Sequence, residues 1–294
     1  MERMLSKKST ILKFMLPGSL VFLVVMVVPL FATFYLSFMN WDGVGKISFA
    51  GLKNYVDIII NGNYHFWPSV GHSFIVVFLS LCVQEPIALL LALALNRGLK
   101  GEKVLRTIYF IPMVVSTIVI AQLFIKIYNP TYGLLNSALN ALGLGSLTHA
   151  WLAETDTAIW AVYIPMIWQY IGYHMLLYYG GLKSISPDII EAAEIDGATY
   201  PQICRKILIP MIMPVIESCV VIALVGSLKT FDFIYVMTGG GPVNSTAVPA
   251  TLLYELLIKR SNYGAGSVVA TFIVAECMIF TVVFQAVFKR LRKE

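Results

Sequence analysis

Charged side chains are scarce in this chain of 294 residues: Asp, Glu, Lys and Arg make up 13%, against 58% hydrophobic residues. A soluble domain carries about 25% charged residues. Because the apolar runs are also too long and too numerous for one water-soluble core, the composition predicts an integral membrane protein. The net charge of +5 does not indicate nucleic-acid binding, since the basic residues flank apolar runs instead of forming one patch.

Cysteine is rare too, and its spacing carries no signature. Cys82, Cys204, Cys219 and Cys277 form no C-x-x-C pair and no Cys/His cluster along the chain, so neither a disulfide framework nor a metal site is predicted. The phosphate-binding pattern G-x-x-x-x-G-K-[ST] is absent as well. The chain therefore offers no loop of this type to cradle ATP phosphates.

Long apolar runs are what the chain does contain. Six of them approach the ~20 residues that a helix needs to cross a bilayer. The first follows a basic N-terminus without a convincing cleavage site, so we read it as an uncleaved span and not as a signal peptide. The candidate spans cover residues 12–36, 70–95, 107–128, 158–180, 211–231 and 266–288.

Basic residues set the predicted orientation. Fifteen of the 21 lie in the N-terminal segment, the second and fourth gaps between spans, and the tail. Lys and Arg accumulate on the cytoplasmic side of membrane proteins, so both termini and the fourth gap are predicted to be cytoplasmic. Tryptophans in the outer gaps fit an interfacial belt. We divide the chain into residues 1–69 and a five-helix core of residues 70–294, with a cytoplasmic loop at residues 181–210.

The fourth gap is the most polar run of its length. Ser186 precedes Pro187 and Asp188, an order typical of a helix start with a hydroxyl cap, Pro at the first position and an early acid. Gly197 is suited to ending that helix in a left-handed conformation. A second short helix, Tyr200 to Lys206, is expected to follow. The gap thus predicts a rigid elbow, in which two adjacent alanines would present a flat face to a partner.

The spacing within this elbow resembles a family signature. The membrane subunits of binding-protein-dependent ABC importers carry EAA, three residues, Gly, nine residues and I-x-L-P, and this chain has Ile209 where Leu is usual. The resemblance implies that the elbow docks into an ATPase subunit. The residues that it assigns to this coupling are Glu191, Ala192, Ala193, Asp196, Gly197 and Pro210.

Three outer motifs narrow the resemblance to the carbohydrate branch, and within it to the first permease of oligosaccharide systems. They are Trp41-Asp42-Gly43, the run Gly51-Leu52-Lys53-Asn54-Tyr55, and the run Thr238-Gly239-Gly240-Gly241-Pro242. The likeness implies the type I ABC importer permease fold, all-α with six transmembrane helices, in the bacterial inner membrane. It further implies that Gly239, Gly240, Gly241 and Pro242 meet a binding protein.

The resemblance also implies a set of partners. These are a second, paralogous permease, an ABC ATPase dimer that holds ATP and Mg²⁺, an extracellular solute-binding lipoprotein, a sugar and membrane lipids. This chain itself would be a non-catalytic subunit that binds no cofactor.

Polar and aromatic side chains inside the spans are the candidates for solute contact. Sugar rings present apolar faces and a hydroxyl rim, which suit aromatic rings and amides. Glu85, Glu217 and Glu276 must face protein or water, since an acid at the centre of a span costs about 2.5–3.5 kcal/mol; each either lines the pathway or fastens helices. Lys229 and Asp232, three apart, either pair or line the outer mouth. The predicted pathway residues are Trp168, Gln169, Tyr170, Tyr173, Phe231, Asp232 and Tyr235.

Other functions remain open at this point. An ABC permease for another solute, such as glycerol phosphate or a uronide, has the same elbow. An ion-coupled secondary transporter would show internal repeats and coupling acids at broken helices, and an intramembrane enzyme would need converging His, Ser, Asp or Cys side chains. We find no repeat, and only one of four histidines, His174, lies deep in a span.

Overall fold

A computed structural model describes residues 8–98 and 100–291, with side chains from residue 12 to residue 290. Arg3, Lys7, Arg292 and Lys293, used above for orientation, lie outside the described residues. The chain is mainly helical, with one small exception to the all-α prediction. Two short antiparallel strands, β1 (Met39–Asn40) and β2 (Ser48–Phe49), pair in the first outer gap.

The helices follow one another with few long connections. The first seven are α1 (Lys8–Phe22), α2 (Val28–Leu36), α3 (Lys53–Tyr55), α4 (Phe66–Leu79), α5 (Glu85–Asn96), α6 (Glu102–Val114) and α7 (Thr117–Ile127). The others are α8 (Leu134–Ala141), α9 (Thr155–Lys183), α10 (Pro187–Ile195), α11 (Tyr200–Ile203), α12 (Ile209–Met211), α13 (Met213–Leu228), α14 (Asp232–Met237), α15 (Pro249–Tyr254) and α16 (Tyr263–Leu291). Single π-helical turns join several of them: Leu23–Val27, Val56–Ile60, Ser80–Gln84, Cys204–Leu208 and Glu255–Lys259. Short 3₁₀ turns lie at Asn63–His65 and Gly145–Leu147.

Among the described residues, four helical segments are long and apolar enough to cross a membrane, or five if a bent pair counts as one span. The chain is therefore a multi-pass membrane protein, and the six predicted spans are supported only in part. The four segments are Leu12–Leu36, Asn63–Asn96, Met213–Met237 and Tyr263–Arg290.

The third predicted span, residues 107–128, is not one continuous helix. Helix α6 ends at Val114 and α7 begins at Thr117 with a bend of 93° between them. Val115 is extended, with φ −76° and ψ 138°. Pro112 contributes to the break, because a proline inside a helix lacks the N–H that would bond to the preceding turn.

The fourth predicted span, residues 158–180, lies within α9, which is 29 residues long. It is not among the strongly apolar segments because it contains polar and aromatic side chains that face the protein. Gln169, His174 and Tyr178 are all buried. Neighbouring helices shield these side chains, so such a helix can have a lower mean hydropathy than one whose whole surface is apolar.

The described chain divides into two compact units. One comprises the residues up to Tyr64 together with Leu252–Phe272, and the other comprises His65–Thr251 and the residues from Ile273 onward.

The outer motifs of the first unit fold onto one another. The Asp42 carboxylate accepts hydrogen bonds from the N–H groups of Val44 and Gly45. These bonds lower the pKa of that carboxyl below its ordinary value, the Gly45 bond most. The Asn54 amide donates to the carbonyl of Met39, and the Trp41 ring lies 5.0 Å from that of Tyr263. This gap therefore forms a small hairpin.

Two apolar clusters form most of the core of the second unit. One joins α5, α9 and the segment from Ile203 to Ile212, and the other joins α4, α7, α9 and α14. Helix α9 belongs to both. Its Gly172 permits the closest approach, since a Cβ built there would stand 1.9 Å from the carbonyl oxygen of Tyr109. A Cβ on Gly181 would likewise stand 2.9 Å from the Val215 side chain, whereas one on Gly180 would meet nothing within 4 Å.

Candidate functional site: a membrane cavity and a polar elbow

The elbow has the helix, turn and helix that its sequence predicts. Helix α10 begins at Pro187 after Ser186, whose hydroxyl contacts the Asp188 carboxylate and makes no hydrogen bond to the backbone. Gly197, with φ +80°, ends the helix. The N–H of Gly197 donates to the Glu194 carbonyl and that of Ala198 to the Ala193 carbonyl, which is the paired pattern of a Schellman motif. Only glycine adopts this backbone without strain.

The second half of the elbow is longer than predicted. Thr199 and Gln202 form a reciprocal capping box at the start of α11. The helix then continues through the π-helical turn Cys204–Leu208 into α12, and Pro210 lies at the second position of α12. The chain therefore enters the next span without a flexible connection.

Tyr200 fastens the elbow to the C-terminal end of α5. Its hydroxyl donates to the Leu93 carbonyl at 2.6 Å, and the Arg97 guanidinium lies 4.5 Å from its ring centre. Burial raises the pKa of Tyr200 and outweighs the opposing effect of Arg97. The hydroxyl therefore remains a protonated donor to the Leu93 carbonyl, which ties the elbow to α5.

The two alanines predicted to form one flat face have different surroundings. Ala193 packs against the apolar core, whereas Glu191 and Ala192 are exposed. Adjacent helical residues differ by about 100°, so both cannot lie on one narrow face.

Ile195 is a further exposed residue of the elbow, with 86% of its side chain accessible. It was not selected from the sequence, although an isolated Ile in a polar run can indicate a contact surface. Beside the Gly197 turn, a shallow groove of about 290 Å³ is lined by Asp196 and Lys206, among others.

A cavity of about 400 Å³ lies among the helices of the second unit. Four of the seven predicted pathway residues line it: Tyr170, Tyr173, Phe231 and Asp232. Several polar residues of the cavity were not selected from the sequence, although a polar side chain within an apolar run can indicate a position that faces a cavity. These are Ser80, Gln84, Thr117, Ser227 and Thr230.

The other three predicted pathway residues do not line the cavity. Trp168 is 46% exposed, because the helical turn puts it on a different face of α9 from Tyr170 and Tyr173. Its ring centre lies 6.0 Å from that of Phe124. The ring of Tyr235 stacks on Phe231 at 5.0 Å. The positions of Trp168 and Tyr235 depend on which face of the helix each side chain lies on, and the residue type alone does not reveal that.

Gln169 has a structural task next to the cavity. Its amide nitrogen donates to the carbonyls of Pro112 at 3.2 Å and Val115 at 3.0 Å, where the break after α6 leaves backbone groups without helical partners. The Thr117 hydroxyl donates to its amide oxygen. Buried backbone groups need such partners, so Gln169 stabilises the bend that shapes one wall.

Lys229 and Asp232 both line the cavity, but no ion pair between them occurs in the described part of the chain. The i, i+3 pairing assumed one continuous helix. Helix α13 ends at Leu228, Phe231 has φ −139°, and α14 starts at Asp232, so the two side chains do not share a helical face. The cavity therefore offers one basic and one acidic group beside its aromatic and hydroxyl groups.

The three membrane acids have separate environments. One oxygen of the buried Glu85 accepts a hydrogen bond from the Tyr178 hydroxyl and the other lies 2.8 Å from His174 Nδ1, so this acid joins α5 to α9. Glu217 is partly exposed. Glu276 is 5% exposed, and neither of its oxygens has a hydrogen-bond partner among the described residues.

The glycine run after α14 forms a turn that is braced from inside. Gly239 and Gly240 have φ of +62° and +93°. The hydroxyl of the buried Thr246 lies 2.7 Å from that of Thr238 and donates to the Gly241 carbonyl. Contact with a binding protein at Gly239–Pro242 stays a prediction.

Known proteins share this architecture. A bacterial alginate ABC transporter, whose structure was solved in complex with alginate pentasaccharide-bound periplasmic protein, superposes with a TM-score of 0.85. The match covers 99% of this chain and 98% of that one at 22% identity. The chain thus has the fold of a membrane component of ABC transporters.

Sequence relatives define the family. Residues 85–293 match the model of the "binding-protein-dependent transport system inner membrane component". The probable ABC transporter permease protein YurN of Bacillus subtilis is 34% identical over 287 residues, 96% of each chain. The trehalose/maltose transport system permease protein MalF of Thermococcus litoralis is 33% identical over 270 residues, 92% of this chain and 90% of its own. The chain belongs to the family of inner membrane components of binding-protein-dependent transport systems.

Proposed function

We propose that this chain is the permease subunit through which an ATP-driven importer moves a sugar, specifically an oligosaccharide, across the bacterial inner membrane. The observation that carries the proposal is the composition of the cavity. Tyr170, Tyr173 and Phe231 supply aromatic surfaces, and hydroxyl and amide groups surround them. Such a lining matches the apolar faces and hydroxyl rim of a sugar. The relative named for trehalose and maltose transport supports the same substrate class.

The chain works with partners in this proposal. A second permease completes the pore, and a solute-binding lipoprotein delivers the sugar at the outer turn Gly239–Pro242. An ATPase dimer binds ATP and Mg²⁺ and engages the elbow through Glu191, Ala192 and Ile195, which are exposed. The tight packing of Tyr200 on α5 gives the elbow a rigid connection to the helices around the cavity.

An acidic solute is the second candidate, because Lys229 lines the cavity. Asp232 lines it as well and offsets that charge locally, so we favour a neutral sugar. Replacing Lys229 by Gln would remove a major contact for a uronide or a glycerol phosphate, whereas uptake of a neutral sugar would change little.

Uptake by the assembled transporter in proteoliposomes, with its binding protein and ATP, tests the proposal. Neutral oligosaccharides, a uronide and glycerol phosphate are compared. We expect uptake of a neutral oligosaccharide that falls at least tenfold in Tyr173→Ala and Phe231→Ala, since loss of a stacking surface is worth about 1.4 kcal/mol or more. Trp168→Ala, on the same helix but outside the cavity, is the control.

The outcomes separate two parts of the proposal. Uptake of only the uronide or glycerol phosphate would contradict the sugar assignment and leave the permease assignment standing. ATP-independent uptake that follows an ion gradient would contradict the permease assignment itself. Equal losses in Trp168→Ala and Tyr173→Ala would show that the cavity is not the route.

A further inference from the structure

Three side chains of metal-ligand type converge below the cavity wall, although their spacing along the chain gave no sign of a metal site. Glu85 begins α5, His174 lies in α9 and Cys219 lies in α13. All three are buried, and a ligand atom from each lies within 4.8 Å of the other two. In the described part of the chain, this is the one such group of three His, Cys, Asp or Glu residues.

The imidazole of His174 is incompletely satisfied. Its Nδ1 atom lies 2.8 Å from Glu85 Oε1, yet it has no hydrogen bond of acceptable geometry among the described residues. The side chain is only 3% exposed. A buried polar atom in this state requires an explanation. Two ligand atoms directed at a common third point would be close together without being aligned with each other.

The surroundings of Glu85 resemble the support of a metal ligand. The Tyr178 hydroxyl donates to Oε2 and leaves Oε1 toward His174. The amide of Gln84 lies 3.5 Å from Oε1. Outer hydrogen bonds of this type fix the orientation of a ligating carboxylate, and they are a regular feature of metal sites.

We propose that Glu85, His174 and Cys219 bind one Zn²⁺ ion. Sulfur, nitrogen and oxygen ligands together suit zinc, which binds them at about 2.0–2.3 Å in tetrahedral geometry. Ligand atoms in such a site are roughly 3.5 Å apart. The widest separation, at most 4.8 Å, therefore needs to close by little more than 1 Å, while the 2.8 Å pair of His174 and Glu85 needs to open by about 0.7 Å. A thiolate and a carboxylate also neutralise the two charges of the ion, which favours a site away from water.

The cavity provides an entry path and a fourth position. His174, a member of the cluster, and Gln84, which contacts Glu85, both line the cavity, so an ion would reach the three ligands from that side. Water can occupy the fourth position there. Since the ligands come from three helices, the ion would fix α5, α9 and α13 to one another between the cavity and the elbow.

Metal analysis of the assembled, detergent-purified transporter tests this proposal. After incubation with Zn²⁺ and removal of free metal, we expect one tightly held ion per copy of this chain beyond any held by a Cys219→Ser transporter. With Co²⁺ instead, we expect a thiolate-to-cobalt charge-transfer absorption in the wild type that is lost in Cys219→Ser. The Cys277→Ser transporter, which lacks a half-buried cysteine outside the cluster, should keep both signals.

A second measurement uses only the unmodified chain and does not depend on the folding of a variant. Alkylation of Cys219 by a maleimide, at a denaturant concentration where this buried thiol reacts in the metal-free transporter, is followed by mass spectrometry. We expect Zn²⁺ to slow it at least tenfold while alkylation of Cys82, which is exposed, is unchanged. Failure of Zn²⁺ and Co²⁺ to bind the wild type above the level of Cys219→Ser would overturn the proposal. Unchanged Cys219 alkylation would do the same, leaving the cluster as a hydrogen-bonded contact between helices.

Discussion

The elbow and the cavity lie in the same unit of the chain, but the sequence specifies them over different distances. The ends of α10 and α11 depend on residues within five positions of one another, such as Ala193 and Ala198 or Thr199 and Gln202. The cavity instead depends on contacts such as Gln169 with Pro112, 57 residues apart. The elbow can therefore keep its shape while the helices around the cavity rearrange.

Among the positions around the cavity, Gly172 is expected to be the most sensitive to substitution. In Gly172→Ala, the new methyl group would collide with the Tyr109 backbone, and overpacking of this kind costs up to about 3 kcal/mol. We expect a large loss of thermal stability in detergent and loss of uptake. Gly180→Ala is the control on the same helix, where a methyl group meets open space and should leave stability unchanged or slightly higher. Similar stability of the two variants would contradict the tight packing of α9 on α6.

The elbow is most sensitive at Gly197, where the backbone alone sets the requirement. A side chain in the left-handed conformation costs roughly 1–2 kcal/mol, and Asn tolerates it better than β-branched residues do. We expect ATP-coupled uptake to fall in the order Gly, Asn, Ala, Val, with the cavity intact. Solute-stimulated ATPase activity and uptake are measured together. A Val variant that matches wild type would show that the turn does not need its left-handed shape.

The sequence predicted more of the elbow than of the cavity. Pro187 and Gly197 marked the ends of α10 because their effects act within one helical turn, whereas the Ser186 hydroxyl does not form the expected cap. Helical phase was harder. Trp168 was expected in the pathway with Tyr170 and Tyr173, but it faces away from the cavity because the residue type does not state which face of α9 meets the other helices.

Breaks in helices were the other source of error. Residues 107–128 were predicted as one span and residues 229–232 as one helical face, yet both are interrupted. The first interruption persists because Gln169 supplies the partner for the broken backbone, and that partner is more than 50 residues away. A sequence reading restricted to neighbouring positions does not contain this information.

Gln169 gives a sharper test of that break. In Gln169→Leu, two buried carbonyls lose their donor, and an unsatisfied buried group costs about 1–3 kcal/mol. We expect a moderate loss of thermal stability and weaker solute uptake, because the bend after α6 shapes the cavity wall. Trp168→Leu, at the next position on an exposed face, should be much milder. A larger loss in Trp168→Leu would contradict the role given to the Gln169 amide.

The smallest effect is expected for the contact between the elbow and α5. Tyr200→Phe removes one hydrogen bond to Leu93, worth about 0.5–1.5 kcal/mol, and keeps the ring beneath Arg97. We expect near-normal stability but fewer sugar molecules imported per ATP hydrolysed, since the elbow is held less firmly. Tyr170→Phe, in the cavity, should instead weaken uptake without changing that ratio. The same ratio in both variants would mean that the contact does not transmit motion.

Site-specific cross-linking between the elbow and the ATPase subunit tests the central claim most directly. Ala192 is exposed and Ala193 packs inward, so the two adjacent positions form a matched pair. In the assembled transporter, we predict that Ala192→Cys cross-links to a cysteine in the cleft of the ATPase and blocks uptake, while Ala193→Cys cross-links far less. Absence of any cross-link from Ala192→Cys, or its modification only by a reagent added outside the cell, would contradict the account.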